Sequence, residues 1–207
     1  MRTRELVVVQ VNATGNDPAR HVALEVAAVS LVSGKSWDFT VPLTQEQLVD
    51  ADPSTLRRNG YYRRGLADRA DLSRPLLSGR IADLAGALAG NTLGGTAPEE
   101  SADFLARLFR SFDIEPRWHP RLADIGALTA GAFGLAATSI PTFTACCRMW
   151  GIDFDADEPS AMTTAAAAAG CFHTLDQYNA VDVLHGSSAP QPVKLSVVPD
   201  PVIRTHP

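Results

Sequence analysis

The chain has 207 residues, 45% of them hydrophobic, and carries a formal net charge of −5 at pH 7. That is enough apolar material for one ordinary domain with a full core, and the acidic balance offers no global attraction to nucleic acid. A mean hydropathy of −0.01, with no apolar run approaching twenty residues, argues against a membrane span.

In chain order, the hydrophobic pattern predicts strands at 5–12, 22–32 and 36–42. The first is almost continuously apolar and is therefore expected at the centre of a sheet. The second and third read as a hairpin turning at Ser33, Gly34 and Lys35. A helix at 78–89 precedes a short strand at 91–95. Pro98, Glu99 and Glu100 then open a helix to about 111, with proline at an early position and carboxylates in the first turn. Further helices are expected at 124–130, 141–150, 159–171 and 173–184. From residue 186 to 207 the composition shifts to a Pro-rich tail with one short apolar segment, Val193 to Val198, suited to docking. The reading is therefore a domain at 1–185 followed by a tail at 186–207.

The most informative stretch is LVVVQVNATG, Leu6 to Gly15, followed by an Asp-Pro loop and a strand carrying Glu25. It resembles the first motif of the DEDDh family of 3′–5′ exonucleases, D-x-E-T-T-G. The likeness covers roughly residues 4–184 in order. PRWHPRLADIGALTAG, Pro116 to Gly131, and NGYYRR, Asn59 to Arg64, resemble segments of actinobacterial and phage members. The resemblance implies an α/β, RNase H-like (exonuclease-type) mixed β-sheet flanked by α-helices. In that family the Asp and Glu of the first motif help hold two Mg²⁺ or Mn²⁺ ions. Such ions stand about 4 Å apart in two-metal hydrolysis and demand anionic oxygen ligands.

Carried onto this sequence, the family's motifs fall on uncharged residues. Gln10 and Asn12 stand at the first two carboxylate positions. Aligning Gly95 and Leu105 puts Ser101 at the third. The late H-x-A-L-x-D motif falls on Pro159 and Thr164, at the general-base and last-ligand positions. The implied reading is a lost active site with no metal and no other cofactor.

Other constellations carry weaker signals. LRRNGYYRR, Leu56 to Arg64, mixes arginines and tyrosines in a way that grips phosphate and stacks bases. The nucleic-acid candidates are thus Thr14, Gly15, Arg57, Arg58, Tyr61, Tyr62, Arg63 and Arg64; the plainer reading is a solvated loop with its aromatics on the core. Glu25, among apolar residues, is expected to find a hydrogen-bond partner near the site. Cys146, Cys147 and Cys171 with His173 lack a zinc spacing and read as core. The same cysteines make no disulfide framework and fit a reducing cytoplasm, of a bacterium or of a phage host. Two lysines against sixteen arginines suggest a GC-rich genome. The opening MRTRE does not read as a signal peptide. Trp118 and His119 are expected to pack and cap, and Asp124 to cap the helix after it. The alanine run at 165–169 permits close packing, against the chain's own sheet or another subunit.

The leading functional reading is a degenerate 3′–5′ exonuclease, a pseudoenzyme that binds a single-stranded nucleic-acid end or a protein partner. The alternative is an active metal-dependent exonuclease with displaced ligands drawn from Glu25, Glu99, Glu100, Asp103, Asp124 or Asp176, and His173 as base. A structural or assembly role of phage origin is the third.

Overall fold

The computed structural model describes residues 4–70, 73–157 and 159–185. The Pro-rich tail at 186–207, including Val193 to Val198, lies outside the described residues. The hydrophobic strand β1 (Leu6–Ala13) sits at the centre of a five-stranded sheet, as its near-continuous apolar run requires. Beside it runs β2 (Ala23–Ser30), antiparallel, and outside that β3 (Ser36–Thr40), also antiparallel. On the other side β4 (Thr92–Gly95) pairs parallel with β1, and the two-residue β5 (Ala123–Asp124) pairs parallel with β4. The order is β3-β2-β1-β4-β5. The expected hairpin is present: Gly34 turns with φ 68°, and Ser30 and Lys35 close it by an N–H to O bond of 2.9 Å.

Alternation along β1 divides the molecule. Val7, Val9 and Val11 face a core built with α4 (Arg74–Leu88) and α5 (Pro98–Arg110). Val8 faces a second core with α6 (Ile125–Ala132), α7 (Phe143–Trp150) and α8 (Ala161–His185). The Ala-rich part of α8 packs on the chain's own sheet, with Ala161 and Ala165 against Ala27. Where the pattern predicts two helices, α8 runs unbroken through residue 172. Gly170 lies within it, packed against Ile152, which comes within 3.1 Å of where a Cβ would stand. Ser160 starts the helix, its Oγ accepting from Thr163 N at 2.9 Å.

Three short helices stand where the hydrophobic pattern predicts no element: α1 (Gln45–Val49), α2 (Pro53–Arg58) and α3 (Leu66–Arg69). α1 has a full capping box between Thr44 and Gln47. α2 is capped by Asp52, whose carboxylate accepts from Ser54 N at 2.8 Å, and starts on Pro53. Hydrogen bonding to Ser54 holds the Asp52 carboxyl below the usual carboxylate range. No described helix is long and apolar enough to cross a membrane.

At the end of β4, Gly95 leaves no room for a side chain, since a Cβ would lie 2.6 Å from the carbonyl oxygen of Val9. Gly95→Ala is therefore expected to force β1 and β4 apart and lower stability by about 1–3 kcal/mol, as overpacking does. Urea denaturation monitored by circular dichroism will measure it.

Candidate functional site

Between the end of β1 and the start of α5 lies a cleft of about 690 Å³. Gln10, Asn12 and Ser101 all line it, so two neighbouring residues of β1 meet a residue of α5 far along the chain. Pro159 and Thr164 do not line it. The start of α8 packs, through Ala161 and Ala165, on Ala27, the cross-strand partner of Gln10. Thr164 is buried, 8% exposed.

The polar groups that line the floor, Thr96, Gln10 and Asn12, form one directed chain that ends on Glu25 behind them. Glu25 is the cross-strand partner of Asn12 and is only 3% exposed. A carboxylate only accepts hydrogen bonds, which fixes the orientation of Asn12: its Nδ2 donates to Glu25 Oε2 at 3.0 Å. Asn12 Oδ1 then accepts from Gln10 Nε2 at 3.4 Å, and Gln10 Oε1 accepts from Thr96 Oγ1 at 2.9 Å. From the other side Arg64 clasps Glu25 with both guanidinium arms, Nη1 to Oε2 at 2.8 Å and Nη2 to Oε1 at 2.5 Å. Arg64 Nη1 also donates to Asn59 O at 3.1 Å. Asn59 Nδ2 in turn holds Ala13 O at 2.9 Å, tying this segment to the end of β1. The buried carboxylate is thus neutralised by a bidentate arginine, and the residues beside it are amides and a hydroxyl. This donor set suits hydrogen bonding and does not fit a pair of divalent cations, which need several anionic oxygens.

The carboxylates named as substitute ligands are dispersed. Glu99, Glu100 and Asp103 line the wall formed by α5. Asp124 caps α6 through Ala127 N at 2.7 Å, as its position predicts. Asp176 and His173 are exposed on α8, with His173 Nε2 2.9 Å from Gln177 Nε2. Among the described residues no group of three or more His, Cys, Asp or Glu is arranged to hold a metal ion. Cys146, Cys147 and Cys171 are free and buried, and burial pushes all three thiols above their usual range. Trp118 packs edge-on against Phe109 at 5.9 Å, and His119 Nδ1 accepts from Arg121 N at 3.2 Å.

The arginine–tyrosine segment divides by role. Arg64 is committed to Glu25. Tyr61 is buried with Leu24, Leu56 and Leu66. Tyr62 is 73% exposed, and Arg57, Arg58 and Arg63 are exposed as well. Of these, Arg58 lines the cleft, steadied by Asn16 Oδ1 and Thr55 Oγ1, each at 3.3 Å. Thr14 is 1% exposed and works inside the loop, its Oγ1 accepting from Val22 N at 3.1 Å. Gly15 lines the cleft beneath the His21 ring, whose atoms lie 2.3–2.6 Å from where a Cβ would stand. Sequence reasoning missed Asn59 and Thr96, whose roles depend on contacts 46 and 86 residues away and have no local signature.

No family model matches this sequence, and no curated protein matches it. Solved structures do. E. coli exonuclease I in complex with a dT13 oligonucleotide superposes with a TM-score of 0.66 at 14% identity, covering 88% of this chain and 44% of that one. The nuclease domain of 3'hExo, a DEDDh family member bound to rAMP, gives 0.60 at 14% identity over 89% of this chain and 94% of that one. Exonuclease I in its complex with SSB-Ct gives 0.66 at 13% identity over 89% and 44%. This chain therefore spans less than half of exonuclease I but nearly all of the isolated nuclease domain. Its mixed sheet flanked by helices is the RNase H-like fold of the exonuclease type.

Proposed function

We propose that this chain is a pseudo-exonuclease, a nuclease-type fold that binds the end of a single-stranded nucleic acid without hydrolysing it. The observation that carries this reading is the closure of Glu25 by Arg64 and Asn12. It sets a cation behind Asn12, one of the two amides that stand where the family resemblance expects metal-binding carboxylates. Binding is supported by the cleft itself, by Arg58 in its lining and by exposed Tyr62 and Arg57 nearby. Neutral groups at Gln10 and Asn12 also lessen the repulsion that an entering phosphate meets, while Glu99, Glu100 and Asp103 remain on the wall. The fold neighbours include exonuclease I holding dT13.

The deciding experiment is fluorescence anisotropy with a 5′-labelled single-stranded oligonucleotide, in millimolar Mn²⁺ or in EDTA, followed by gel analysis of the label. The expected result is equal binding in both and a label of unchanged length. Arg57→Ala/Arg58→Ala/Arg63→Ala, with Arg64 left in place, should weaken binding. It should also flatten the log–log salt dependence by about 0.7 for each phosphate that is no longer neutralised. Stepwise shortening of the label would instead establish the active reading, in which Glu99, Glu100 and Asp103 on the cleft wall rebuild a metal site. Absence of binding would make the ligand a protein partner, the class seen in the SSB-Ct complex of exonuclease I.

A further inference from the structure

A second concavity, of about 420 Å³, shares no lining residue with the cleft. It lies where the start of β2 and the segment after β3 meet α4 and α5. Its volume falls within the range of small-molecule sites, roughly 300–1,000 Å³. Ala23, Leu77, Phe104 and Leu108 give it a buried apolar floor. Among the described residues no Asp or Glu lines it, whereas two arginines do, Arg74 and Arg107.

Among the described residues no carboxylate pairs with either arginine. Arg107 Nη1 spends its hydrogens on two carbonyls, Pro18 O at 2.7 Å and His21 O at 3.0 Å. Its Nε and Nη2 make no hydrogen bond among the described residues, and together they form the fork that receives a carboxylate side-on. The guanidinium, on an exposed residue, is thus oriented by backbone carbonyls of the loop between β1 and β2. Arg74 stacks over the Phe112 ring, 5.3 Å from its centroid, at the rim of the same groove.

From this juxtaposition of an apolar floor, an oriented unneutralised guanidinium and a second cation, we propose that the groove binds a small amphipathic organic anion. Its apolar chain lies on Phe104 and Leu108, and its carboxylate sits on the Nε–Nη2 edge of Arg107.

Calorimetric titration of the whole chain with sodium decanoate, 1-decanol and decyltrimethylammonium, all below micelle-forming concentrations, tests this. Decanoate is expected to bind saturably, the alcohol at least tenfold more weakly and the cation not at all. Arg107→Gln should weaken decanoate by tenfold or more, and Arg74→Gln by less. Ser111→Trp, at an exposed rim position, should block the groove while leaving the circular dichroism spectrum unchanged. Equal binding of acid and alcohol, decanoate affinity indifferent to both Arg107→Gln and Ser111→Trp, or no saturable binding would each overturn the proposal.

Discussion

Arg64→Met is expected to cost about 3–5 kcal/mol of folding stability, because removing one partner leaves the other charge buried and uncompensated. The side chains of Arg64 and Glu25 are only 14% and 5% exposed. With the arginine gone, Glu25 keeps a single amide donor, Asn12. The double variant Glu25→Gln/Arg64→Met should recover most of the loss, since a neutral amide can still accept from Asn12. Glu25→Gln alone should be milder than Arg64→Met, as an arginine can swing its head toward water. Arg64→Lys will not substitute well, for a point charge cannot make the two parallel bonds. Urea denaturation of the four variants measures the cycle. A loss below 1 kcal/mol for Arg64→Met would mean that Glu25 is solvated and the closure of the floor has no energetic weight.

The second large effect concerns metal. Millimolar Mn²⁺ is expected to leave the melting temperature of this chain unchanged. Restoring the five aligned positions, Gln10→Asp, Asn12→Glu, Ser101→Asp, Pro159→His and Thr164→Asp, is not expected to be sufficient. A carboxylate at position 12 would stand beside Glu25, where Asn12 now donates at 3.0 Å, and Arg64 would neutralise the pair in place of a metal. Adding Arg64→Gln removes that competitor. Mn²⁺ at a hundred times its dissociation constant should then stabilise the sixfold variant by about 2.7 kcal/mol, by mass action. The assay is a thermal melt with and without Mn²⁺. A rise for the unaltered chain would sink the pseudoenzyme reading, and a rise for the fivefold variant would show that Arg64 does not guard the site.

The parts of this fold legible in the sequence are those with a period or a start signal long enough to read. β1 to β3 and the Gly34 hairpin follow from apolar runs and a turn residue. α5 follows from Pro98 and its acidic first turn. The short helices α1 to α3 span 5, 6 and 4 residues, too few to show a helical period. Their caps at Thr44 and Asp52 are nonetheless present in the sequence. The meeting of Gln10, Asn12 and Ser101 is expected only through family resemblance. The Arg64–Glu25 pair is legible in neither way: 39 residues separate the partners, and the fold alone brings them together. Arg64 therefore reads as a free phosphate-binding arginine, although its charge is already spoken for.

The alternation along β1 has a consequence for how such a protein changes over time. A strand's ladder of hydrogen bonds belongs to its backbone, so the sheet is indifferent to whether its outward-reaching polar side chains are acids or amides. Val7, Val9 and Val11 are locked into a packed core, where each change of volume is felt. Gln10 and Asn12, only half-buried in the same strand, answer to the cleft instead. The face that begins with Val8 in the second core thus ends, at Gln10 and Asn12, in two positions that can be rewritten without disturbing either core. Architecture can then persist at 13–14% identity whichever polar residues the cleft presents.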